Sequence, residues 1–117
     1  MESYPVYHQR VSELFGNTLN ATFLCGDWRE VLHYGPFQVV FVDTAEAKDD
    51  GAEAVVQALA LGGVAVLDDF TPETHWPPGW RGKLDTRRDF WLRHPDLVAT
   101  EILTTPETAA VIAVRVR

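Results

Sequence analysis

The sequence contains a single cysteine, Cys25, so no disulfide can form within the chain and nothing points to an oxidising compartment. No apolar run approaches the roughly 18 residues needed to cross a bilayer. The opening residues, Met1 to Pro5, carry neither a basic stretch nor an apolar one, unlike a secretory signal. Basic residues are scarce: 10 against 17 acidic ones, for a formal charge of -7. That balance repels phosphate backbones and anionic lipid surfaces, so neither nucleic acid nor a membrane is expected as a partner. There are no internal repeats, no nucleophile elbow and no phosphate-binding loop. A cytoplasmic globular domain is the expectation.

The 117 residues suffice for one domain, taken as residues 1–117, and 46% hydrophobic with 23% charged residues is ordinary for a packed core. Pro5, with Ser3 upstream as a cap, opens a helix whose apolar face is Tyr7, Val11, Leu14 and Phe15, ending at Gly16-Asn17. Residues 21–25 read as a short buried strand, with Cys25 in the core. Asp27 then caps a helix, with Glu30 completing a capping box and Gly35-Pro36 ending it. Residues 37–42 form an apolar, β-branched run suited to a strand covered on both faces. A helix follows from Asp49-Asp50 and stops at Gly62-Gly63, and residues 64–67 make another buried strand. Residues 70–84 are a proline- and tryptophan-containing loop, and Asp85-Thr86 opens a short helix closed by Pro95. Residues 98–104 and 109–116, joined through Thr105-Pro106-Glu107, form an antiparallel hairpin. The expected fold is α/β, with a three-layer, mostly parallel sheet and a C-terminal antiparallel hairpin. Strand 21–25 should lie beside 38–42, then 64–67, then 109–116, with 98–104 at the edge. An all-apolar strand such as 38–42 should not stay open at an edge, so a neighbour in this chain or, failing that, a second chain should cover it.

Three of these strands end in acid, at Asp27, at Asp43 and at Asp68-Asp69. Ligands of open parallel sheets sit at the carboxyl ends of strands, which makes these carboxylates the candidate site. Asp27 also has a plain role as a helix cap. Asp43 precedes its expected helix by several residues, and Asp68-Asp69 precede a loop, so capping explains them poorly. Three carboxylates at neighbouring strand ends make a hard oxygen site suited to magnesium or calcium. The histidines are scattered: His33 and His94 fit no ligand spacing, while His75 in the aromatic loop could serve as a base or lie on the surface. Trp76 and Trp80 could line an aromatic pocket or anchor the loop. No catalytic residue stands out.

Three stretches in order resemble class I, Rossmann-like S-adenosylmethionine-dependent methyltransferases. They are Leu24-Cys25-Gly26-Asp27-Trp28, then Phe37-Gln38-Val39-Val40-Phe41-Val42-Asp43, then Leu61-Gly62-Gly63-Val64-Ala65-Val66-Leu67-Asp68-Asp69. They are similar to that family's third, fourth and fifth strands, and the closing hairpin to its sixth and seventh. Small-molecule O-methyltransferases are the most similar subgroup. The resemblance implies a truncated, C-terminal portion of the fold, transfer of a methyl group to an oxygen of a small-molecule acceptor, and S-adenosylmethionine as cofactor. It implies Glu2, Asp27, Trp28 and Asp43 as cofactor-binding residues, with Glu2 at the ribose and Asp27 and Trp28 at the adenine. It further implies Asp43, Asp68 and Asp69 as magnesium ligands. The sequence departs from the pattern in three places. Asp69 stands where an asparagine is usual. Lys48 lies later than the expected lysine. The glycine-rich turn that holds the methionine end of the cofactor is missing. The first two departures count against the metal site, and the third implies an incomplete domain: a remnant, or a part that depends on a complementing chain or a homodimer. A non-enzymatic association module derived from the fold is the alternative.

Overall fold

A computed structural model describes residues 1–17 and 20–117 of the chain. They form two compact units, residues 1–35 and 36–117. No helix among the described residues is long and apolar enough to cross a membrane.

The first unit contains helix α1, Pro5–Phe15, and a 3-10 helix, Trp28–Tyr34. Proline at the start of α1 sacrifices only an amide that a first turn leaves unpaired. The cap position is Tyr4 rather than Ser3, and its side chain makes no capping bond. The Glu2 carboxylate instead accepts the Tyr4 amide at 2.8 Å. The expected strand at residues 21–25 does not form. This segment makes one parallel bridge, Glu2 with Cys25, through Glu2 N–H to Leu24 C=O at 3.0 Å and Gly26 N–H to Glu2 C=O at 3.1 Å. One bridging residue offers too short a ladder to order a strand. Cys25 is exposed rather than in a core. Asp27 does cap the next element, taking the Arg29 amide at 2.8 Å, but that element is a 3-10 helix.

The second unit holds a four-stranded sheet: β1 Phe37–Val42, β2 Leu59–Phe70, β3 Leu97–Leu103 and β4 Ala109–Arg115, in the order β1-β2-β4-β3. The first pair is parallel and the other two are antiparallel. The α/β class and the hairpin agree with the sequence, with β4 inserted beside β2 and β3 outermost. Because residues 21–25 do not join, a single parallel pairing remains and β1 is an edge. Within this chain the expected neighbour of β1 is absent, and the strand is not covered on both faces: Val39 is 66% exposed and Phe41 62% exposed.

Helices α2 Ala45–Lys48, α3 Ala52–Ala58 and α4 Thr86–Arg93 complete the unit. The helical turn begins two residues after Asp43, earlier than expected, and Asp49 ends α2 instead of opening a helix. Chain direction then changes at Asp50-Gly51, where glycine rather than a carboxylate precedes α3. Gly62-Gly63 does not stop α3 either, since β2 has already begun at Leu59. The glycines lie inside β2 at an irregularity in its register with β1. A Cβ on Gly63 would come within 2.6 Å of the Phe37 carbonyl oxygen, so the close strand approach there needs glycine.

Register separates the side chains of the sheet into two faces. Val42, Leu67 and Val111 lie in one cross-strand row, and Ala65 and Ala113 in the next; all five are buried. Helix α3 packs against β2, and α4 against β3 and β4. Trp91 of α4 is fully buried and donates its indole N–H to the Lys48 carbonyl at 3.0 Å, tying α4 to the end of α2.

Candidate functional site

The parallel register pairs Val42 with Leu67, so Asp43, just past β1, and Asp68, near the end of β2, lie at the same sheet end. Regular pleating would send Asp68 and Asp69 to opposite faces. A bulge prevents this. Leu67 pairs with Val111 and Phe70 with Ala109, leaving three steps on β2 against two on β4. Asp69 takes a left-handed backbone conformation, φ 58°, which aspartate tolerates better than most residues. Bulges of this kind re-aim side chains. Here one carboxylate oxygen from each of Asp43, Asp68 and Asp69 lies within 4.8 Å of the others.

Like charges that close disfavour joint ionisation. The Asp68 carboxylate, by its charge and then by a hydrogen bond, raises the Asp43 pKa above its ordinary value; slight desolvation and Asp69 add to this, and Lys48 opposes it. Lys48 is the local counter-ion. Only 2% exposed, it donates to Asp68 Oδ1 at 2.6 Å and to the Asp68 carbonyl at 2.9 Å. The early start of α2 delivers it: α2 begins right after Asp43 and its last residue turns back beneath the bulge. Its lateness in the sequence relative to the family's lysine therefore does not exclude it from the cluster.

Against three carboxylates, one ammonium leaves an excess of negative charge on exposed Asp43 and Asp69. That donor set, hard and oxygen-only, fits a magnesium or calcium ion.

Beside the cluster opens a cleft of about 520 Å³, with Asp69, Trp76, Trp80, Lys83, Asp85 and Arg87 among its lining. Two arginines hold its walls. Arg87 grips Asp49 with two bonds of 2.6 Å, which, as the largest cause, lowers the Asp49 pKa. Arg88 reaches both Glu101 carboxylate oxygens at 2.8 and 3.1 Å, Asp85 at 2.8 Å and the Thr71 carbonyl at 2.7 Å. Its guanidinium also lies 5.4 Å from the ring centre of Trp76 and 5.7 Å from that of Phe70. Trp76 is buried and donates its indole N–H to Thr71 C=O at 2.9 Å, so it anchors the loop. Neither arginine stood out in the sequence. The available signal was two cations in the first turn of α4, where the helix dipole favours anions.

The remaining residues singled out from sequence are engaged locally. Glu2 bonds the Tyr4 amide. Asp27 caps its helix and pairs with Arg29 at 3.3 Å. Trp28 is half-buried, with the Arg29 guanidinium 4.7 Å from its ring centre. Glu2, Asp27 and Trp28 belong to the first unit, and Asp43 to the second. His75 is exposed beside Thr74, and His94 bonds Glu53 at 2.9 Å. For S-adenosylmethionine the donor set is incomplete. Among the described residues, none of the first three strands runs into a glycine-rich turn: β1 leads to Asp43-Thr44, β2 to Thr71-Pro72 and β3 to Thr104-Thr105.

No protein-family model and no curated protein matches the chain. Solved structures do. Cofactor-bound Rv0187 from MTB superposes with a TM-score of 0.72 at 22% identity. A Klebsiella pneumoniae protein named as an O-methyltransferase gives 0.70 at 14%. The O-methyltransferase TomG of Streptomyces achromogenes, involved in tomaymycin synthesis and solved with SAM, gives 0.69 at 14%. Each match covers 99% of this chain and 60% of the other. The chain thus has the α/β fold of the Rossmann-like O-methyltransferases, over about three-fifths of the length of those proteins.

Proposed function

We propose that these residues form the metal- and acceptor-binding side of an S-adenosylmethionine-dependent O-methyltransferase acting on a small molecule, with the methionine end of the cofactor held by a part of the fold outside them. The observation that carries this reading is the bulge-built cluster of Asp43, Asp68 and Asp69 at the carboxyl ends of a parallel strand pair. The similarity in fold to TomG, solved with SAM, supports the choice of cofactor.

Asp43, Asp68 and Asp69 would hold magnesium, which when bound supplies a Lewis acid that lowers the pKa of an acceptor hydroxyl. Lys48 fixes the Asp68 carboxylate through its Oδ1. The remaining contribution of the chain is orientation: walls held by Arg87 and Arg88 keep an acceptor oxygen near the acids while the loop stays fixed. Glu2, Asp27 and Trp28 are proposed contacts for the ribose and adenine.

Thermal melting with magnesium tests the metal half. At about ten times its dissociation constant, magnesium should stabilise the fold by about 1.4 kcal/mol, a rise of several degrees. A melting temperature indifferent to millimolar magnesium would remove the metal from the proposal. Calorimetry with S-adenosylmethionine tests the cofactor half. Binding weaker than micromolar is expected, and micromolar binding by this chain alone would show that the cofactor side is already complete.

A further inference from the structure

The Asp69 carboxylate is aimed by a backbone that does not hold itself. A left-handed φ of 58° on a residue with a side chain persists only where its surroundings impose it. The sheet does not impose it, because the register of β2 with β4 jumps from Leu67 to Phe70. Two largely buried cations grip the backbone instead, one on each side of Asp69. Before it, the Lys48 ammonium donates to the Asp68 carbonyl at 2.9 Å. After it, Arg88 donates to the Thr71 carbonyl at 2.7 Å, and the Trp76 indole N–H reaches the same oxygen at 2.9 Å. Both grips lead back to α4. Arg88 lies in its first turn, and Trp91, three residues on, holds the Lys48 carbonyl at 3.0 Å. Residues three apart share one face of a helix.

Resting on the metal-site reading above, we propose that Arg88 is a positioning residue for that site: it bonds none of the three acids and acts by pinning Thr71, so that the bulge keeps the Asp69 carboxylate turned toward Asp43 and Asp68. Arg88 is itself fixed in place. Its side chain is 14% exposed, Nε and Nη2 take both carboxylate oxygens of Glu101 on β3, and Nη1 takes Asp85 at the start of α4. The rings of Phe70 and Trp76 lie beside its guanidinium. A planar fork is needed because its N–H groups serve three separate partners at once, Glu101, Asp85 and the Thr71 carbonyl. A metal site depends on groups that orient its ligands as much as on the ligands, and three acid oxygens within 4.8 Å of one another do not stay together by themselves.

Calorimetric titration of the full chain with magnesium tests this. A metal-free readout accompanies it: the nuclear Overhauser effect between the amide and Hα hydrogens of Asp69, which is strong in a left-handed residue. Arg88→Met should weaken magnesium binding about tenfold and lose the strong Asp69 signal. Arg88→Lys, which keeps the charge without the fork, should weaken it several-fold. Leu59→Ala serves as the control: Leu59 is fully buried at the opposite end of β2, so the variant loses stability without touching the bulge. It should keep the Asp69 signal and bind magnesium within about twofold of the unaltered chain. If Arg88→Met fails to fold, Arg88→Lys decides. A folded Arg88 variant that keeps the strong Asp69 signal or binds magnesium as the unaltered chain does overturns the proposal, and so does a Leu59→Ala chain that weakens magnesium as much as Arg88→Met. An unaltered chain that ignores magnesium removes the metal reading alone, and the Asp69 signal of the variants still decides whether Arg88 aims that carboxylate.

Discussion

Alternate residues of the same strands have opposite surroundings. On one face of the sheet Ala65, Leu67, Val111 and Ala113 are fully buried under helices of the second unit. On the other, the register aligns Val39, Val64, Val114 and Val98 across all four strands, and Phe41, Val66 and Ile112 in the next row. The inner strands of that face are half-buried, while Val39, Phe41 and Val98 at its flanks are exposed. Both faces are largely apolar, and the open one is the richer in β-branched residues, with Val39, Val64, Val66, Val98, Ile112 and Val114, so apolar character alone does not distinguish them. What distinguishes them is which face receives helices, and the polar anchors follow the helices. Lys48, Arg88, Glu101 and the Trp91 indole all join helix to strand, or helix to helix, on the covered side. Stability in this unit should therefore be concentrated on one face.

The sharpest way to break the comparison is a pair of truncations. Leu67→Ala removes a side chain with no exposure and should cost about 2–5 kcal/mol in urea denaturation. Phe41→Ala, in the strand hydrogen-bonded to β2, should cost no more than about 0.5 kcal/mol. Equal costs would mean that the open face is packed in solution after all. The same face gives a second readout. An exposed row of Val39, Phe41 and Val98 invites association, so light scattering should show mass rising with concentration. Phe41→Lys should suppress that rise. A strictly monomeric wild-type chain would argue against an exposed apolar face.

Lys48→Met probes the covered side where it meets the site. It removes the counter-ion of Asp68, whose carboxylate is a third exposed, and should destabilise by about 2 kcal/mol, less than a wholly buried pair would cost. Magnesium should recover part of that loss, because the three acids then lack their protein cation. A neutral result would mean that water, not Lys48, compensates the cluster.

Much of this was legible from pattern. Strands β1, β3 and β4 are period-two or continuous apolar runs bounded by turn residues, and each was found within a residue or two. The acid cluster followed from the rule about strand ends and did assemble. The failures have physical causes. Residues 21–25 have strand-like composition, but a strand exists only with a neighbour, and composition is silent about neighbours. Gly62-Gly63 looked like a helix stop, because a bulge inside a long strand and a stop use glycine for the same backbone freedom. Lys48 was judged by its distance in sequence from Asp43, whereas a four-residue helix folds it back under Asp68. The arginine clamps depend on pairings that span 13 residues for Arg88 with Glu101 and 38 for Arg87 with Asp49. No local pattern contains such pairings.

The smallest expected effect is also the most specific to the cluster. Asp43 has its pKa raised in the folded chain, chiefly by Asp68, so the folded state binds this proton more tightly than the unfolded one does. Stability linked to Asp43 therefore falls as pH rises through the unfolded and then the folded pKa, and the full penalty applies at neutral pH. Asp49 and Glu53 are lowered, by Arg87 for the first and by Gln57 and then His94 for the second. Their contributions have the opposite sign: present above the unfolded carboxylate pKa and lost as pH falls through the folded value. Asp43→Asn should thus raise stability at pH 7, by less than about 1 kcal/mol because the group is exposed to solvent, and the gain should vanish in acid. Asp49→Asn should lower stability at pH 7, again with the difference vanishing in acid. Chemical denaturation of both variants across the acid range separates the two signs. If Asp43→Asn destabilises at pH 7, the carboxylate is held by an attraction that outweighs Asp68, and the crowding of charge that motivates a metal at this site does not exist.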